Sequence, residues 1–233
     1  MAEPYWRGDG VELYLGDCRD ILPTLPRASV DLIVTDPPYG QRWRSGRRKT
    51  ALDPIAGDDG SLDVAACITA ACKVLREHRH LYVFGPADLS ACPIGGTAEL
   101  IWDKEIIGPG NLSLPWGPQH EPITFGVHVS RPSNRAAGYG RLSARLRKGS
   151  VLRVPRANSG ALEDRHDPHP SGKPVYLLRQ LIESSSCLGE TVLDPFAGHG
   201  PTLVAAVLEG RKAIGIEVDE ACAEKTAKHL EGR

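Results

Sequence analysis

The sequence predicts an α/β protein: a mostly parallel twisted sheet with helices on both faces and one small insertion. Three observations lead there. Apolar runs of strand length alternate with stretches whose apolar residues recur at helical spacing, the pattern of a parallel sheet covered on both sides. Two of the strand-like runs end in Asp-Pro turns, "TDPPYG" and "LDPFAGHGP". The second of these is a glycine loop that opens a helix, and in such sheets ligands bind beyond the carboxyl ends of the strands.

The elements follow in order. "VELYL" and "VDLIVTD" read as the first two strands. "SLDVAACITAACKVLREHR", residues 61–79, carries apolar residues at helical spacing, with Ser61 or Asp63 as its cap. "HLYVFGP", "AELIWDKEI" and "EPITFGVHV" are strands. From 130 to about 165 the rhythm gives way to Arg, Gly, Ser and Pro, and this stretch is expected to form an inserted lobe. Regular structure resumes with a helix in "KPVYLLRQLIESSS" and a strand in "TVLDPFAG". The helix "PTLVAAVLEG", the strand "KAIGIEVD" and a last helix to Leu230 complete the chain. No internal repeat is visible.

Bulk properties suit one domain of 233 residues, 41% hydrophobic and 24% charged, with a net charge of -1 that gives no overall pull toward polyanions. No apolar run of membrane-spanning length appears, and the start lacks a signal-peptide core, so a soluble cytoplasmic protein is expected. The six cysteines, Cys18, Cys67, Cys72, Cys92, Cys187 and Cys222, show no metal spacing and read as reduced core residues; no metal is expected. The charge is unevenly spread. Residues 41–49 hold four arginines and a lysine, and residues 131–156 hold seven arginines and a lysine, neither with an acid. Two such segments form an electrostatic footprint for phosphate backbones.

In "LDPFAGHGP", Gly198 and Gly200 supply backbone freedom and close approach, and Pro201 suits the first helical position. The exposed amides there favour an anion. About twenty residues on, a strand ends in Glu217, where an acid commonly grips ribose hydroxyls. A nucleoside cofactor with a negative tail fits, whether a nicotinamide dinucleotide or S-adenosylmethionine (SAM). Leu203 stands where GxGxxG would need its third glycine, which disfavours a pyrophosphate cradle.

"TDPPYG" together with "DPFAGHG" resembles the DNA amino-methyltransferases, which methylate adenine N6 or cytosine N4 with SAM. "HPSGKP", "GRKAIGIEVDEACAEKTAKHL" and "LYLGDCRDILPTLPRASVDLIVTDPPYG" are similar to further motifs of that family, so the likeness spans most of the chain. The catalytic motif precedes the cofactor loop, similar to the permuted beta group, whose target-recognition region lies in that interval. The resemblance implies a Rossmann-like class I methyltransferase fold, SAM as cofactor and double-stranded DNA as partner. A homodimer and a cognate restriction endonuclease are implied by analogy alone. One departure is clear: the family's usual Gly-Ser-Gly-Thr-Thr is here Gly198-His199-Gly200-Pro201-Thr202, which reshapes contacts to the methionine end. His199 reads as a loop residue.

The resemblance also gives "DPPY" its chemistry. An exocyclic amine is a poor nucleophile because its lone pair is delocalised into the ring. Asp36 and the Pro37 carbonyl offer acceptors for the two amine hydrogens, Pro37 and Pro38 hold them rigidly, and Tyr39 offers a ring for a flipped base. Around this set the family pattern implies cofactor contacts from Asp17, Cys18, Lys173, Asp194, Phe196, Ala197, Gly198, Gly200 and Glu217. For Asp194 and Lys173 a purely local role, in the Asp-Pro turn or at a helix start, is the alternative. Arg42, Trp43, Arg44, Arg47, Arg48, Arg135, Arg141, Arg145, Arg147 and Lys148 are the expected DNA contacts. His120-Glu121 and Trp102-Asp103-Lys104, at strand ends, are assigned structural roles. Adenine is preferred to cytosine because the motif begins with Asp rather than Ser. Methylation of RNA or of a protein glutamine, and a DNA-binding relic without turnover, are the rival readings.

Overall fold

The computed structural model describes residues 2–39, 60–108, 110, 112–130, 148–156 and 172–231. Within them the strands are β1 (Trp6–Gly8), β2 (Val11–Leu15), β3 (Val30–Thr35), β4 (Leu75–Phe84), β5 (Ile94–Asp103), β6 (His120–His128), β7 (Val151–Arg153), β8 (Thr191–Asp194) and β9 (Lys212–Glu217). The helices are α1 (Cys18–Ile21), α2 (Val64–Val74), α3 (Val175–Ser185), α4 (Pro201–Leu208) and α5 (Glu220–Glu231). All the strands join one sheet in the order β1-β2-β9-β8-β3-β4-β6-β5-β7. Only β1 and β6 run against the others.

The alternation of side chains along a strand explains the two layers. Leu32 and Val34 of β3 face a core completed by Leu178 and Ile182 of α3, Leu203 of α4 and Leu230 of α5. Ile33, between them, faces the opposite core with Cys67, Ile68 and Cys72 of α2. β3 is therefore buried along its whole length, as a central parallel strand must be. Cys18, Cys67, Cys72 and Cys92 are buried, in line with their reading as small core residues, and Cys187 and Cys222 are half-buried.

Two elements differ from the sequence reading. The helix expected to reach Arg79 stops at Val74, and β4 begins at Leu75. Leu75 pairs with Val30 and His80 with Leu32, so residues 76–79 bulge out of the ladder, with His78 at φ 62°. The buried Asp31 draws Arg76 and Arg79 (3.3 Å) into this bulge as ion-pair partners, which helical spacing alone does not reveal. Asp63 rather than Ser61 caps α2, accepting from the Ala66 amide at 2.9 Å. Within the segment expected as an inserted lobe, Val151–Arg153 pairs with Ile101–Asp103 and forms the sheet's edge. At the other edge, Trp6 Nε1 donates to Glu231 Oε1 at 3.1 Å, joining β1 to the last helix.

Candidate active site

The carboxyl edge of the sheet gathers the chemistry. β3 and β8 are neighbours although about 160 residues separate them in the chain, and they pair through Leu32 with Val192 and Ile33 with Leu193. The Thr35 hydroxyl donates to Asp194 Oδ1 at 2.7 Å, clamping the two strand ends together. The Asp-Pro-Pro-Tyr turn and the glycine loop thus leave the sheet side by side.

Asp194 is buried and also accepts from the Phe196 amide at 3.1 Å. Its carboxyl is pushed up to about 6 by desolvation, against the opposing hydrogen bonds from Thr202, Thr35 and Phe196. These bonds make it the anchor of the turn and loop, the local role named as its alternative. In the loop Gly198 has φ 53° and Gly200 φ 77°, both left-handed. A Cβ on Gly200 would fall 2.5 Å from Thr226 Cγ2, whereas one on Gly198 would meet nothing within 4 Å. Gly200 is therefore required by packing, and Gly198 borders open space. Glu217, at the end of β9, turns its carboxylate to this loop, accepting from the Gly198 amide at 2.6 Å and the Asp219 amide at 2.8 Å. Burial raises it above the usual carboxylate range despite those bonds. Phe196 is half-buried and packs on the α2 side of the sheet, and Ala197 is buried, its amide bonded to the Ile216 carbonyl at 2.9 Å. Asp17 caps α1 and holds the Arg19 guanidinium (Nη2 at 2.6 Å) and amide (2.8 Å). The Cys18 side chain is buried and turns to Cys67.

A donor set for SAM is present on this surface. Gly198 opens onto free space beside the Glu217 carboxylate, and the start of α4 follows at Pro201. Glycine, acid and helix start stand in the relation that a ribose and an anionic tail require.

Lys173 lies at the Asp36 turn. Its ammonium is buried between two carboxylates, 2.8 Å from Asp36 Oδ2 and 2.7 Å from Glu121 Oε1. It lies over the rings of Phe84 (5.1 Å), Tyr39 (5.6 Å) and Trp102 (5.9 Å). Desolvation pushes its pKa down, but Asp36 and Glu121 outweigh it and the net shift is upward. Glu121 Oε2 also binds Lys104 at 2.8 Å. Burial pushes the Glu121 carboxyl up, and the two lysines bring it below the usual range. The Tyr39 hydroxyl hydrogen-bonds Asp36 and lies 3.0 Å from Glu121 Oε1. Desolvation and these two carboxylates raise the Tyr39 pKa strongly, so the phenol is neutral. Pro37 is buried and Pro38 half-buried.

The structure thus joins Glu121 and Lys104 to the site, two residues to which the sequence assigned structural roles. Their signal was positional: each stands at a strand end, and β6 runs antiparallel, so its first residues share an edge with the last residues of β3 and β5. Gly85 is a second omission. At φ 82°, a Cβ there would come within 2.2 Å of the Tyr39 ring. Arg42, Trp43, Arg44, Arg47, Arg48, Arg135, Arg141, Arg145 and Arg147 lie outside the described residues. Lys148 is described and pairs with Glu183 of α3 at 2.7 Å.

The sequence profile described as DNA methylase matches residues 92–228, and that of an RMKL-like methyltransferase domain matches residues 2–77. The chain is 29% identical to the DNA adenine methyltransferase YhdJ of Escherichia coli K12, across 88% of this chain and 77% of that protein. Its fold is similar to the PvuII DNA methyltransferase (cytosine-N4-specific), with a TM-score of 0.71 at 16% identity over 98% of this chain and 89% of that one. The M1.HpyAVI–SAM complex has a TM-score of 0.64 at 19% identity, covering 94% of this chain and 100% of the other. Among the described residues no helix is long and apolar enough to cross a membrane.

Proposed function

The chain belongs to the DNA methylase family, and we propose that within it this protein methylates the N6 amine of adenine in DNA. The cofactor is S-adenosylmethionine, whose sulfonium supplies an electrophilic methyl group. The observation that carries the reading is the clamp between Thr35 and Asp194, which sets the Asp36 turn beside the Gly198 loop. Gly198, Glu217 and the start of α4 would hold the cofactor, with Glu217 offering an acceptor to the ribose hydroxyls and the start of α4 favouring an anionic group.

Asp36 accepts one amine hydrogen of a flipped base and the Pro37 carbonyl accepts the other, freeing the nitrogen lone pair. Tyr39 supports the base by stacking, worth about 1–3 kcal/mol. The remaining task is alignment of the nitrogen with the methyl group, which rigid positioning serves. Adenine is favoured over cytosine by the Asp at position 36 and by the DNA adenine methyltransferase among the relatives. The Arg-rich stretches at 41–49 and about 130–165 supply the contacts to DNA phosphates and bases.

Nucleoside mass spectrometry of DNA from cells expressing the protein tests this. N6-methyladenine that disappears with Asp36→Ala is the expected result. N4-methylcytosine would overturn the choice of base, and neither mark would overturn the activity.

A further inference from the structure

Four charged side chains, in or next to four different elements, form one alternating chain at the site. Lys104 binds Glu121 at 2.8 Å, Glu121 binds Lys173 at 2.7 Å, and Lys173 binds Asp36 at 2.8 Å. Asp36 is the most exposed member, its side chain 35% accessible against 14% for Glu121 and 10% for Lys173. Burying such charges is expensive, and apolar residues of similar volume would often stabilise a fold as well. A purely structural account leaves that expense without a return.

The hydrogen bonds define a problem that the chain solves. One Asp36 oxygen receives the Tyr39 hydroxyl and the other receives Lys173. An incoming amine must share Asp36 with both donors, which draw off the carboxylate's charge and weaken it as an acceptor. Each of them also lies within bonding distance of a single second acceptor, Glu121 Oε1, at 3.0 Å from the Tyr39 oxygen and 2.7 Å from Lys173 Nζ. The phenol has one hydrogen, so it serves Asp36 or Glu121 but not both. Lys104, on the far oxygen of Glu121, fixes that carboxylate in place and compensates its charge.

We propose that Glu121 is a positioning residue of the methyl-transfer site: it takes the Tyr39 hydroxyl and the larger share of Lys173 when the target amine arrives, releasing Asp36 to bind that amine. The exchange moves one O–H hydrogen bond from Asp36 to Glu121 and no covalent bond changes. It rests on the proposed amine methylation. Lys173 faces Asp36, Tyr39 and Glu121 along with the rings of Phe84 and Trp102, so both carboxylates act on its charge.

Single-turnover kinetics on DNA with Glu121→Leu, Glu121→Gln, Tyr39→Phe and the double variant Tyr39→Phe/Glu121→Leu test the exchange. Glu121→Leu should slow methyl transfer at least tenfold while SAM affinity stays within twofold, and Glu121→Gln, which keeps an acceptor oxygen, should retain more. Removing the competing hydroxyl should soften the loss, so the double variant is faster than the product of the two single losses predicts. Losses that simply multiply, or an unchanged rate in Glu121→Leu, would overturn the proposal. A wild type that methylates no base would count against the function instead. Carbon-13 lysine NMR checks the ion pair on which the exchange depends: the Lys173 midpoint should fall in Glu121→Leu, and an unmoved midpoint overturns the proposal.

Discussion

Tyr39 and Gly85 show how narrowly the site is cut at the scale of single residues. Gly85, just after β4, has a left-handed backbone and lies so close to the Tyr39 ring that a Cβ cannot fit. Gly85→Ala should displace the ring and strain the turn, at a cost of about 1–3 kcal/mol in stability. Binding of DNA carrying 2-aminopurine at the target position should lose its fluorescence rise, while SAM titration stays within a few-fold of wild type. An intact fluorescence rise would dissociate the ring from base binding. At this scale the sequence was half legible. Asp36 and Gly198 declared themselves by motif, because an acid before two prolines and a tyrosine, or paired glycines after a strand, seldom arise from packing alone. Glu121 and Lys104 did not, since a charged residue at a strand end is ordinary until the partner strand's direction is known. Lys173 was expected near the cofactor from its motif, and its pairing with two carboxylates far off in the sequence was not foreseen.

The elements were more legible than their boundaries. Central strands announced themselves as apolar runs, and Pro201 marked the first residue of α4 as expected. The α2–β4 junction was misread because Leu75 continues a helical apolar spacing while its backbone pairs with Val30. Long-range pairing outweighed local periodicity there. β7 escaped notice because three residues in an Arg-rich stretch carry no period. Pro201 itself tests how the altered cofactor loop behaves. Gly200 already holds the left-handed turn and Gly200 O accepts from the Val204 amide at 3.1 Å, so the helix start does not depend on the ring. Pro201→Ala should cost no more than about 1 kcal/mol in urea unfolding, by loosening the unfolded chain. SAM affinity should change less than about threefold, a free-energy difference of about 0.6 kcal/mol. A collapse of SAM binding would instead make the proline part of the cofactor surface.

Across the whole molecule, two buried groups on the sheet oppose one another in the dependence of stability on pH. Asp194, pushed up to about 6, keeps its proton in the fold while an unfolded aspartate loses it near 3.8, so stability falls as pH rises through that window. His80, driven down to about 4 by burial and by Arg79, stays neutral in the fold while an unfolded histidine gains a proton below 6.5. Its contribution is lost as pH falls from 6.5 to about 4. Each amounts to about 3 kcal/mol, and over most of the window they cancel. Asp194→Asn keeps an acceptor for Thr35 and removes one of the pair, so its stability should climb by about 1.4 kcal/mol more per pH unit between 4 and 6 than that of wild type. Urea unfolding at several pH values measures the difference, and parallel profiles would mean that Asp194 is ionised throughout. The bond between Trp6 and Glu231 carries a different consequence. The first strand and the last helix meet, so a linker between them would close the described elements into a ring. A short linker from the final helix back to β1, with the chain opened between β6 and β7, would put the glycine loop ahead of Asp-Pro-Pro-Tyr and leave every sheet neighbour unchanged. Such a circular permutant should bind SAM as the parent does. To the site, the linear order of its two motifs is a matter of where the ring was cut.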